Sequence, residues 1–223
     1  GALQPRYEGH PLPLDGLPYR EDLRYIMIGR DPRDVFMSLW NHYRNYSPLV
    51  MKLVNEVPGR VGDPFPPCPD DIHELWNGWI SRGWFAWESD GWPMFSMLHH
   101  ARTYWDFRHL PNLLFAHYAD LKADLEGEIR RIARFLGIEH DDRAFREIAE
   151  AVRFDTVKKN PERITGDMSL FFEGGAQSFI FKGTNGRWKD VLSEAELAQY
   201  RAAMEKNLEP ACVRWLEQGG PVR

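Results

Sequence analysis

The chain has 223 residues, a net charge of −5 and 43% hydrophobic content, which suits one domain with a substantial core. The acidic balance argues against a broad nucleic-acid-binding surface. Two cysteines, Cys68 and Cys212, make neither a disulfide framework nor a metal site and suit a reducing cytoplasm, and no apolar run approaches the ~20 residues of a membrane span.

Residues 1–23 are rich in proline and glycine and read as loop, with His10 inside EGHPLPLDGLP. Tyr25-Ile26-Met27-Ile28 is a short apolar run of strand formers that stops at Gly29, the pattern of a strand buried on both faces. Asp31-Pro32 then opens a helix. Asp31 is a good N-cap, Pro32 is tolerated in the first turn, and Asp34 adds negative charge there. Val35, Leu39 and Tyr43 recur at helical spacing and are expected to face the sheet, with Phe36 and Trp40 beside them. The unit is strand, tight turn, helix, with Arg30 at the turn. A helix N-terminus carries free N–H donors and partial positive charge, and Arg30 adds a permanent fork suited to phosphate. Ser38 lies close to two whole turns after Asp31, so its hydroxyl shares that side of the helix. Either Arg30 and Ser38 grip one phosphate, or Arg30 pairs with an acidic neighbour and Ser38 only packs.

Asn45 to Asp71 is rich in proline and glycine and predicts a long loop. From Ile72 to Leu110 the chain is dense in aromatics, with a helix expected from Asp71 to about Arg82 and another from Pro93 to about Phe107. Most of these aromatics suit core packing, and the excess suits an apolar pocket. Asn112 to Tyr118 predicts a second strand. Amphipathic helices follow over Glu126–Leu136, ended by Gly137, and Asp141–Val152. Glu162 to Ser178 is polar and reads as mobile. Phe179 to Lys189 (FIFKGTNGRWK) combines two glycines with basic residues, so its backbone can approach an anion closely while Lys182 supplies charge. Helices over Glu194–Lys206, capped by Ser193, and Glu209–Gln218 close the chain. Positive charge is thus local, at Arg30 and Arg33, Lys158 and Lys159, and Lys182, Arg187 and Lys189, which suits a small anionic ligand better than a polymer.

Two of these segments together resemble the cytosolic-type sulfotransferase family. GRDPRDVFMS is similar to its 3′-phosphate-binding segment, with Arg30 and Ser38 at the matching positions, and FKGTNGRW is similar to its RKGxxGxW segment, with Lys182 and Gly183 matching. Tyr118-Ala119-Asp120-Leu121 resembles the segment whose tyrosine contacts adenine, and Phe154 stands where a phenylalanine stacks on that base. EGHPLPLDGLP resembles, imperfectly, the segment of the catalytic histidine, which makes His10 the general base; a surface histidine is the alternative. SMLHHARTYW resembles a segment lining the acceptor site, at His100. Phe181 stands where the family has arginine, which implies one lost phosphate contact.

The resemblance implies an α/β fold, a three-layer parallel sheet of the P-loop type flanked by helices. It implies one domain over 1–223, and since no YPKSGTTW-like segment is present, that domain is expected to lack its N-terminal strand and phosphate loop. The implied donor is 3′-phosphoadenosine 5′-phosphosulfate (PAPS), the acceptor is a small molecule with a hydroxyl or amine, and no metal is required. No nucleic-acid or membrane partner is expected. An inactive 3′-phosphoadenosine nucleotide-binding module is the other function this resemblance allows.

Overall fold

The computed structural model of the chain describes residues 12–59 and 62–222. Strands β1 (Tyr25–Gly29) and β2 (Leu113–His117) form a parallel pair, in register from Tyr25 opposite Leu113 to Gly29 opposite His117. Among the described residues this pair is the whole sheet. The architecture is therefore α/β, a small parallel sheet among many helices.

β1 is followed by α1 (Pro32–Arg44), capped by the Asp31 carboxylate accepting from Arg33 N–H at 2.9 Å, and then by α2 (Pro48–Asn55). α3 (Ile72–Ser81) and α4 (Met97–Trp105) lead into β2. After β2 come α5 (Tyr118–Ala123), α6 (Leu125–Leu136), α7 (Asp142–Val152), α8 (Phe154–Lys159), α9 (Glu162–Thr165) and α10 (Gly175–Phe179). A 3₁₀ turn at Arg187–Asp190 precedes α11 (Glu194–Asn207) and α12 (Pro210–Gln218).

The core gathers beneath one face of the sheet. Met27, Leu113 and Phe115 are buried there, and Phe115 meets Trp105 of α4 and Trp215 of α12 edge-on, with ring centroids 5.9 and 5.1 Å away. Gly29 is a glycine for lack of room. A Cβ there would lie 2.2 Å from the Trp215 ring, so only hydrogen lets α12 close over the end of β1. Phe36 of α1 is fully buried against Trp76 and Trp79 of α3.

Several expectations from sequence need correction. Among the described residues β1 is covered on one face only, since Ile28 is 65% exposed; a continuous apolar run does not show how many of its faces are covered. The inward stripe of α1 is Phe36, Met37, Trp40 and Tyr43, while Val35 and Leu39 are only partly buried. The stripe turns by part of a helical step because the partner is α3 and not the sheet alone. The expected long loop over 45–71 contains α2: Ser47 caps it by accepting from Val50 N–H, and Pro48 occupies its first turn. Pro93 does not start α4, whose cap is Ser96, three residues on. The polar stretch 162–178 contains α9 and the start of α10.

Candidate functional site

The register of the sheet builds the site. Because Gly29 pairs with His117, the next residues, Arg30 and Tyr118, leave adjacent strands side by side at the carboxyl end, where open α/β sheets bind ligands. The Arg30 guanidinium carbon lies 4.2 Å from the Tyr118 ring centroid, a close cation–π contact.

A strap over residues 178–188 closes over this end, and half of the residues that anchor it come from α1. Asn41 donates to the Ser178 carbonyl at 3.0 Å. His42 Nε2 lies 3.2 Å from the Phe179 carbonyl, and its ring stacks on Phe179 at 4.8 Å. The carbonyl can only accept, so Nε2 carries the proton; burial pushes the His42 pKa down, which keeps the ring neutral at neutral pH. The buried Asp34 carboxylate accepts the Gly186 N–H, both oxygens at 2.9 Å. Arg33 lies over Trp188 at 4.0 Å.

The other anchors are three cations and a tyrosine hydroxyl. Arg30 donates to the Thr184 carbonyl at 3.0 Å and to Asn185 Oδ1 at 3.1 Å. Lys122 Nζ and Tyr118 Oη both donate to the Gly183 carbonyl, at 2.9 and 3.2 Å. Lys158 Nζ donates to the Gln177 carbonyl at 2.8 Å and to that of Ile180. At Gly183 the backbone has φ +62°, and a Cβ would lie 2.4 Å from the Phe154 ring, so glycine serves both the turn and the approach of α8.

These elements enclose an open cavity of about 640 Å³. Arg30, Ser38, Tyr118, Phe154, Lys182 and Gly183, spread over more than 150 residues of sequence, all line it. Its walls carry five cationic side chains, Arg30, Lys122, Arg153, Lys182 and Arg187, against one carboxylate, Asp155. Among the described residues, only Arg153 of these five makes an ion pair, with Glu150 at 3.7 Å. Arg30 Nε is buried with no hydrogen-bond partner. On a chain with net charge −5, such a cavity concentrates positive potential.

The structure places the other two sequence candidates elsewhere. His100 is on α4, its ring 4.9 Å from that of Tyr104, and does not line this cavity. His10 lies outside the described residues. Conversely, Asn41, His42, Lys122 and Arg187 line the cavity and were not singled out as site residues. Asn41 had a readable signal, one turn beyond Ser38, and Lys122 stands one turn beyond Tyr118.

The family model for the sulfotransferase domain matches residues 7–211. The chain belongs to the sulfotransferase family. A glycolipid sulfotransferase of Mycobacterium bovis (strain BCG / Pasteur 1173P2) is 29% identical over 221 residues, covering 93% of this chain and 68% of its own. Sulfotransferase 1A1 of Rattus norvegicus is 26% identical over 208 residues, covering 92% and 63%. Among solved structures, retinol dehydratase in a complex with retinol and PAP superposes with a TM-score of 0.64 at 27% identity, covering 89% of this chain and 52% of its own. Mouse sulfotransferase SULT7A1 complexed with PAP shares the fold, with a TM-score of 0.63 at 19% identity. The chain spans about half the length of the retinol dehydratase it matches. No helix among the described residues is long and apolar enough to cross a membrane.

Proposed function

We propose that the chain is a PAPS-dependent sulfotransferase acting on a hydroxyl or amine of a small-molecule acceptor. The observation that carries this reading is one cavity whose walls bring together aromatic side chains and four cations, Arg30, Lys122, Lys182 and Arg187, that make no ion pair among the described residues. Its size falls in the usual range for small-ligand sites, and the unpartnered Arg30 Nε is a donor left over for an anion. Both neighbouring structures above are complexes with PAP, and the family assignment supports the same nucleotide here.

On this reading Arg30, Ser38 and Lys182 hold the 3′-phosphate, Gly183 lets the strap approach it, and Tyr118 and Phe154 hold the adenine. The donor supplies an activated sulfuryl group whose S–O bond to the 5′-phosphate breaks as the acceptor oxygen or nitrogen bonds to sulfur. His10 takes the acceptor proton as general base. His100 contributes on the acceptor side. Charge-assisted anchoring of the nucleotide serves positioning, which contributes to rate by fixing the reacting groups in line. One domain in the cytoplasm is the setting we assign, and both cysteines are free thiols.

Titration calorimetry with 3′-phosphoadenosine 5′-phosphate (PAP) tests the reading. Wild type binds, and Arg30→Ala weakens binding by roughly ten- to a hundredfold, the worth of a hydrogen bond to a charged group. A folded wild-type chain that does not bind sinks it. Binding without transfer of sulfate from PAPS to any hydroxyl or amine acceptor would make the chain a nucleotide-binding module instead.

A further inference from the structure

Phe181 occupies the place where the resemblance calls for arginine, so the 3′-phosphate site is expected to be short of one cation. The structure brings another cation into the same cavity. Arg187 lines the same cavity as Arg30, Ser38 and Lys182, and its guanidinium carbon lies 5.0 Å from the Phe181 ring centroid. The residues on either side of it are fixed by α1. Gly186 N–H is held by both oxygens of Asp34, and the Trp188 ring lies under Arg33. Asp34 is 2% exposed and sits in the first turn of α1, 152 positions before Gly186, so the placement of Arg187 is a product of the tertiary fold.

The electrostatics of the placement are unfavourable without a ligand. Burial pushes the Arg187 pKa down, and the nearby Arg30 charge pushes it further, against a smaller opposing pull from Asp34. Both oxygens of that carboxylate already accept the Gly186 N–H. Among the described residues, neither Arg30 nor Arg187 has a carboxylate ion pair. Two half-buried guanidiniums held together in this way gain most from a dianion between them, since a phosphate offers each fork two acceptor oxygens.

We infer that Arg187 is a second guanidinium of the 3′-phosphate site, taking over from across the strap the contact that Phe181 cannot make. The inference rests on the nucleotide reading above and adds a binding residue to it.

Calorimetry with two ligands tests it: PAP, and adenosine 5′-monophosphate, which lacks the 3′-phosphate. Arg187→Ala is expected to weaken PAP roughly ten- to a hundredfold and to leave adenosine 5′-monophosphate unchanged. Adding Phe181→Arg to Arg187→Ala is expected to restore most of the PAP affinity, because the two side chains overlie one another. A purely structural role for Arg187 would not be rescued in that way. If Arg187→Ala does not fold, Arg187→Lys keeps the charge and the stem but loses the fork, and weakens PAP alone by several-fold. Unchanged PAP affinity in Arg187→Ala, or equal loss of both ligands without rescue, overturns the inference while the nucleotide reading stands. Failure of the wild-type chain to bind PAP overturns both.

Discussion

At Gly183 two demands meet in one residue, a left-handed backbone and contact with the Phe154 ring. Gly183→Ala is expected to cost about 1–2 kcal/mol from the backbone alone, and more from the displaced ring. Urea unfolding reads the stability loss, and PAP titration reads a parallel loss of affinity. His42 makes a second residue-scale prediction. Its folded pKa lies below that of the unfolded chain, so the unfolded state takes up a proton that the native state refuses. Its contribution is therefore fully present above about pH 6.5 and is lost as pH falls from there toward the folded pKa. His73 works with the opposite sign. Its hydrogen bond to Glu196 raises its pKa, so its contribution is lost as pH rises through that raised value. The two are separated by comparing wild type with His42→Phe at pH 7.5 and 5.0. The variant, whose ring can still stack on Phe179, is expected to lose less stability on acidification than wild type does.

At the scale of elements, α1 does two jobs at once. Its Phe36 face anchors the helix in the core, and Arg33, Asp34, Asn41 and His42 hold the strap. α11 provides the contrast of an element that is purely structural. Its capping box joins Ser193 and Glu196 reciprocally, and Ser193→Ala is expected to cost about 0.5–2 kcal/mol with PAP affinity unchanged. Denaturant unfolding and calorimetry on the same variant check both halves. Of the helices that sequence reading located well, α3, α6, α7 and α11 announce themselves by side-chain caps, and α12 by a proline in its first turn. α2 hid among prolines and glycines; its signal was the Ser47-Pro48 start, and its apolar residues are largely exposed, so no core-facing stripe marked it.

For the whole molecule, the contact of Trp215 with the end of β1 ties the C-terminal helix to the sheet. Gly29→Ala forces a methyl group against an indole that is itself 4% exposed and has little space to move. The expected cost is of the order of 1–3 kcal/mol or more, read as a lower urea midpoint. Because Arg30 follows directly, the same change is expected to disturb the nucleotide site. Ligand linkage gives a complementary test. PAP at a hundred times its Kd is expected to stabilise the fold by about 2.7 kcal/mol, roughly 5–10 °C in Tm for a chain of this length. A melt that does not move with PAP speaks against the cavity as its site.

The amino-acid sequence by itself determined the local devices: the strand–turn–helix unit at Tyr25–Arg44, the caps, the turn glycines, and six cavity residues recognisable from two short motifs and two aromatic positions. Such features depend on chain neighbours a few residues apart, where backbone sterics and helical periodicity are decisive. Only the tertiary structure decided which face of α1 points inward, that the described residues cover β1 on one side, and that Arg187 lies over Phe181 in the wall shared with Arg30. Those depend on pairing Gly29 with His117 and Asp34 with Gly186, contacts between segments 88 and 152 residues apart. Their energies arise from burial and charge in an assembled interior, and no local window of sequence contains them.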